Sequence, residues 1–188
     1  DKGIEIFQQA IEFSAKTGIS IIQVNGYDVF YEPGSKETEA RFLDSLKICV
    51  KWAQDKRIML GFENVDTAFM NSIQKALKIM NKINSPWCRL YPDIGNLQAF
   101  GYDPVSELKL GKEHLIGCHI KDALPGIVRG VPFGKGEVPF KGVFKELKKQ
   151  NFKGPCTIEM WADMSKSENA VNSVRSARSF VEKMMLGL

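Results

Sequence analysis

The chain has 188 residues, is 44% hydrophobic, and carries 26 Lys and Arg against 22 Asp and Glu, a formal net charge of +4. That is enough apolar material for a single domain over residues 1–188 with a buried core. The mild, scattered positive charge would help attract an anionic metabolite but does not argue for nucleic acid. No apolar run approaches the ~18 residues of a membrane-spanning helix. Asp1-Lys2-Gly3 is not the basic-then-apolar opening of a secretory signal. Cys49, Cys88, Cys118 and Cys156 show no Cys-x-x-Cys spacing, which predicts buried free thiols and a cytoplasmic protein rather than a disulfide frame or a zinc knuckle.

In chain order, Ile4, Phe7, Ala10, Ile11 and Ser14 fall at helical spacing and Gly18 stops that helix. The β-branched run 19–24 predicts a strand, and Gly26 with the segment 28–35 a loop. Phe42, Leu43, Leu46, Cys49, Val50 and Ala53 mark a second helix, and 57–62 the next strand. Asp66 is a candidate N-cap for a third helix with the stripe Phe69, Ile73, Ala76, Leu77 and Met80. A strand ending on Asp93 follows, then a short helix opened by Asp103-Pro104. A strand over 115–118 leads to His119, and residues 122–139 form a long loop with four glycines and three prolines. Phe140 to Lys149 reads as a helix. Gly154-Pro155 precedes the last strand, and Ser165 with Glu168 makes a capping box for a final helix with the stripe Val171, Val174, Ala177, Phe180, Val181 and Met184.

Five short apolar strands alternating with helices are the pattern of parallel βα units in an α/β protein. No Gly-x-Gly-x-x-Gly opens a helix after a strand, which disfavours a dinucleotide fold.

Four of the apolar runs end on a polar side chain: 58–62 on Glu63, 88–92 on Asp93, 115–118 on His119, and 155–158 on Glu159. Strand C-terminal ends are where parallel α/β folds keep their active sites. Two Glu, one Asp and one His suit one divalent cation, Mn²⁺ or Zn²⁺. The other histidine, His114, precedes its strand and belongs on the far face. Such a cation would polarise a ketone and stabilise an enediolate. One carboxylate, of Glu63 and Glu159, would take the proton alpha to the carbonyl, and the other would return one. Return to the opposite face of the same carbon is epimerisation, and delivery to the neighbouring carbon is aldose–ketose isomerisation. The chemistry leaves both open.

At these residues the chain resembles the xylose-isomerase-like sugar phosphate isomerases and epimerases, and within them the L-xylulose 5-phosphate 3-epimerase family of L-ascorbate utilisation. The most specific stretches are Tyr91-Pro92-Asp93-Ile94-Gly95-Asn96 and Val131-Pro132-Phe133-Gly134-Lys135-Gly136; Gln23 to Val29, Met70 to Ile73, His119 to Asp122 and Ile158 to Trp161 add to them. The resemblance implies a (β/α)8 TIM barrel of which this chain carries about strands four to eight, and 3-epimerisation of L-xylulose 5-phosphate to L-ribulose 5-phosphate. It implies metal ligands at Glu63, Asp93, His119 and Glu159, with Glu63 and Glu159 as the acid/base pair and Asn96 facing the substrate.

Lys121, Arg129 and Lys135 are candidate contacts for the sugar phosphate, with the amides of Gly130, Gly134 and Gly136 able to approach an anion. Lys121 has a second possible role as partner of a metal-site carboxylate. The expected partner is a small sugar phosphate, with no nucleic acid and no membrane. Five βα units leave an edge strand uncovered, so self-association, as a homodimer, or a requirement for an N-terminal segment is expected. A hydroxypyruvate or hexulose-6-phosphate isomerase and a non-catalytic metal- or sugar-binding barrel fragment are the rival readings.

Overall fold

The computed structural model describes residues 2–161 and 170–187. The Ser165–Glu168 capping box lies outside the described residues. The chain divides into two compact units, Asp1–Tyr91 and Pro92–Leu188.

The first unit is a three-stranded parallel sheet in the order β1 (Ile21–Asn25), β2 (Met59–Glu63), β3 (Cys88–Leu90), connected through α2 (Lys36–Asp55) and α3 (Ile73–Ile83) and preceded by α1 (Lys2–Thr17). Its register explains the site face. Ile22 and Val24 pair with Leu60 and Phe62, while Gln23 and Asn25 pair with Gly61 and Glu63. Because side chains alternate across a strand, the apolar set faces the helices, where Phe42 of α2 meets Phe62 edge-on at 6.2 Å, and Gln23, Asn25 and Glu63 take the opposite face. Leu60 and Phe62 have no exposed surface, and Glu63 is itself buried.

The expected stripe of α1 holds, with Ile11 and Ser14 buried and Ile4, Phe7 and Ala10 partly so. The start of α3 does not. Ser72 is its N-cap, accepting from the Lys75 N–H, and Asp66 instead accepts hydrogen bonds from the Tyr27 and Tyr31 hydroxyls. A tertiary partner has taken the carboxylate that local spacing offered to the helix.

The second unit pairs β4 (Cys118–Ile120) with β5 (Cys156–Ile158) in parallel, and an isolated parallel bridge joins Asp93 to His119. Its helices are α4 (Ile94–Ala99), α5 (Pro104–Leu110), α6 (Phe140–Lys149) and α7 (Ala170–Leu186). α6 has the expected bounds and buries Phe140, Val143, Phe144 and Leu147. Phe140 stacks on Phe133 at 5.8 Å and meets Phe180 of α7 edge-on at 5.3 Å. The α7 stripe is buried at Ala177 and Val181, but Val171 and Val174 are exposed. β4 begins where the sequence pattern ends it: after a 3-10 turn at Lys112–His114, Leu115 makes only an isolated bridge and Ile116 a bend, so His119 lies inside the strand.

Among the described residues no helix is long and apolar enough to cross a membrane. All four cysteines are free. Burial pushes the Cys88 thiol up to about 12 and the Cys49 thiol up to about 11, which keeps both protonated and unreactive near neutrality.

Candidate metal centre

In the second unit, strand alternation sets His119 and Lys121 on one face of β4 and its continuation, with Thr157 and Glu159 on the same face of β5 and its continuation. The backbone N–H of His119 donates to the Pro92 carbonyl at 2.8 Å, and that of Glu159 to the Ile120 carbonyl at 3.0 Å. These bonds fix the three strand ends beside one another. Asp93, His119 and Glu159 each offer a ligand atom within 4.8 Å of the others. Asp93 is fully buried and is also the N-cap of α4, its Oδ1 accepting from the N–H groups of Gly95 at 2.7 Å and Asn96 at 2.9 Å. A cap and a ligand are compatible in one carboxylate, since the cap uses one oxygen. In the first unit, Glu63 ends β2 on its polar face, and its Oε2 accepts a hydrogen bond from the Gln23 side-chain amide.

Lys121 is the cation of the cluster. Its buried Nζ lies 2.6 Å from Asp93 Oδ2 and 2.9 Å from Glu159 Oε1, and donates to Asn96 Oδ1 at 2.8 Å. Burial lowers the Lys121 pKa, but the charges and hydrogen bonds of Asp93 and Glu159 outweigh it and leave the ammonium above its ordinary value. Burial likewise pushes Glu159 up, yet the hydrogen bond from His119 and the ammonium of Lys121 hold it well below the usual carboxylate range. His119 Nδ1 is 3.0 Å from Glu159 Oε2. Gly95 is required here, because a Cβ on it would come within 2.9 Å of the Lys121 stem and carbonyl. The donor set fits a divalent cation. Carboxylate oxygens of two acidic residues already converge on one positive group, with an imidazole beside them, and this is the chemistry such an ion takes.

The loop expected to cradle an anion does something else with its amides. The N–H groups of Gly134 and Gly136 donate to Asp122 Oδ2 at 2.8 and 3.0 Å, and those of Ala123 and Val138 to Oδ1. Asp122, almost fully buried, is therefore the anchor of this loop, and a Cβ on Gly136 would fall 2.1 Å from its Oδ1. Arg129 lies over the Trp161 ring at 4.7 Å, and the Trp161 indole N–H donates to Glu159 Oε1 at 3.3 Å. That chain of contacts brings Arg129 beside the cluster. Lys135 sits between the two anchored glycines. Gln23, Trp161 and Asp122 are not among the ligands and contacts expected from the sequence, yet all three hold parts of this site. Asp122 and Trp161 stand shortly after the ends of β4 and β5, which is a signal that could find them, whereas Gln23 lies in the middle of β1 and carries none.

The xylose isomerase-like TIM barrel family model matches residues 1–183. The chain belongs to the xylose isomerase-like TIM barrel family. It is 43% identical over 184 residues to the L-ribulose-5-phosphate 3-epimerases UlaE of Salmonella paratyphi A and Salmonella paratyphi B, an alignment covering 98% of this chain and 64% of each relative. The chain thus spans somewhat under two thirds of the length of these curated relatives. Among solved structures, an L-ribulose 3-epimerase superposes with a TM-score of 0.81 at 17% identity, covering 98% of this chain and 67% of that one. A D-allulose 3-epimerase from Methylomonas sp., in complex with D-allulose, gives 0.76 at 21%, covering 98% and 66%. At these identities the likeness establishes the fold. The parallel βα units expected from the alternation of strands and helices are those of a TIM barrel of the xylose isomerase-like family, in part.

Proposed function

We propose that this chain belongs to a metal-dependent sugar-phosphate 3-epimerase that interconverts L-xylulose 5-phosphate and L-ribulose 5-phosphate. The observation that carries the reading is the convergence of Asp93, His119 and Glu159 at adjoining strand ends, in a chain 43% identical to L-ribulose-5-phosphate 3-epimerases. Glu63, at the end of β2, completes the ligand set in this reading, and the ion is Mn²⁺ or Zn²⁺. When bound, the cation supplies Lewis-acid polarisation of the substrate ketone. Glu63 and Glu159 are the catalytic pair: one carboxylate takes the proton from the carbon alpha to the carbonyl, and the other carboxyl returns a proton to the opposite face of that carbon. Asn96 and Lys121, joined by a hydrogen bond, face the sugar. Arg129, held over Trp161, and Lys135 take the phosphate. In this reading the protein is a homodimer, and the exposed Ile6 and Phe13 of α1 are apolar surface for a second copy to cover.

The test is solvent exchange. In D₂O with Mn²⁺, the full-length protein should place deuterium at C3 of L-ribulose 5-phosphate and form the C3 epimer without aldose. An aldose product would move the reading to an isomerase, and absence of exchange would overturn it.

A further inference from the structure

Glu63 is held by a side chain that no ligand or substrate role yet explains. Gln23 lies on β1 opposite Gly61, two residues before Asn25, whose register partner is Glu63. Because Gly61 has no side chain, the space over it is open for Gln23 to reach diagonally across to the end of β2. Its Nε2 donates to two acceptors, Glu63 Oε2 and Asn25 Oδ1. A primary amide has two N–H donors on that nitrogen, so both are committed. The orientation of the amide follows from its partner, since a carboxylate accepts only from the nitrogen end.

We propose that Gln23 is a positioning residue that fixes the Glu63 carboxylate and makes it a one-oxygen metal ligand. An oxygen that accepts an amide N–H has one lone-pair site fewer to offer and is held toward β1, which favours coordination through the other oxygen. The committed amide further restricts the long Glu63 side chain to one rotamer, so less freedom is lost when the ion binds. Asn25 acts at one remove, by accepting the second N–H and keeping the amide from rotating away. Hydrogen-bond partners of metal ligands commonly set ligand orientation in this way. The inference rests on the metal-site reading above and extends it to a residue outside the ligand set.

The experiment measures Mn²⁺ binding to the wild-type chain, Gln23→Met and Glu63→Ala by counting free Mn²⁺ with electron paramagnetic resonance, and records the visible absorption of the Co²⁺-loaded proteins. Gln23→Met keeps the length of the side chain and removes the donor. It should weaken Mn²⁺ binding by about 10–100-fold and lower the intensity of the Co²⁺ band, because a released Glu63 adds a second oxygen and raises the coordination number. Gln23→Glu, which keeps the volume and presents an acceptor, should weaken binding at least as much. It serves as the second variant if thermal unfolding shows that the methionine disturbs β1. A purely structural glutamine would shift the unfolding temperature and leave the Co²⁺ spectrum unchanged. If both Gln23 variants bind Mn²⁺ within about twofold of wild type with an unaltered spectrum while Glu63→Ala is weakened, the role of Gln23 is refuted and the site stands. If Glu63→Ala also binds as wild type does, the site reading itself falls and this inference with it.

Discussion

Lys121→Met is the substitution that most directly probes how the cluster is held together. Methionine keeps the Cβ and Cγ that lie against Gly95, so the packing of the stem survives and only the ammonium is lost. The ammonium lies 2.6 Å from Asp93 and 2.9 Å from Glu159, and Asp93 has no exposed surface. Removing one partner of a buried ion pair leaves an uncompensated buried charge, which costs about 3–5 kcal/mol. For a chain of this size each kcal/mol moves Tm by about 2–4 °C, so Tm should fall by about 6–20 °C in metal-free buffer. Added NaCl should change the difference little, because buried pairs are weakly screened. Mn²⁺ should restore more stability to the variant than to wild type, since the cation takes over the role of the missing charge; at a hundredfold excess over its Kd a ligand adds about 2.7 kcal/mol. Thermal unfolding followed by circular dichroism, with and without Mn²⁺, reads all of this. A metal-free Tm within about 2 °C of wild type would show that the ammonium does not hold the carboxylates together.

Three further outcomes follow from the same geometry. Asp122→Ala removes the acceptor of the Ala123, Gly134, Gly136 and Val138 amides; it should cost at least about 2 kcal/mol, hydrogen bonds to a charged group being worth about 1.5–3 each, and limited proteolysis should cut first within 123–138. Arg129→Ala or Lys135→Ala in the full-length protein should raise KM for the phosphorylated ketose with kcat nearly unchanged, the signature of uniform binding; equal effects on phosphorylated and unphosphorylated sugars would place the phosphate elsewhere. Glu63→Gln or Glu159→Gln should abolish turnover in the steady-state assay, and residual activity near the wild-type level would remove either from the acid/base pair.

The candidate ligands were visible in the sequence for a physical reason. A parallel strand buried on both faces reads as an apolar run, so the first polar group after it stands out, as Glu63, Asp93 and Glu159 do. His119 stands out in the same way, although it lies inside β4 rather than after it. Leu115 to Gly117 are apolar but form no continuous ladder, and the strand starts at Cys118 because Pro155 and Pro92 supply the acceptors for Cys118 and His119. Pairing of that kind is set by distant chain and leaves no local mark. α4 leaves little trace in the sequence because six residues are too few to show a helical period, although Asp93 followed by Gly95 and Asn96 is a capping arrangement. In the sequence the loop glycines suggest an anion cradle. Glycine amides that can approach an anion can equally approach a carboxylate of their own chain, and Asp122, a dozen residues away, is that anion. Gln23 was hidden for a related reason: its importance lies in the acceptor across the sheet.

The central claim, one divalent cation on Glu63, Asp93, His119 and Glu159, is tested most directly by the stoichiometry of Mn²⁺ binding to the wild-type chain and to His119→Ala. The account predicts one Mn²⁺ per chain, with the site lost or severely weakened in the variant. No bound Mn²⁺ in the wild-type chain, or equal binding by the two proteins, would contradict it.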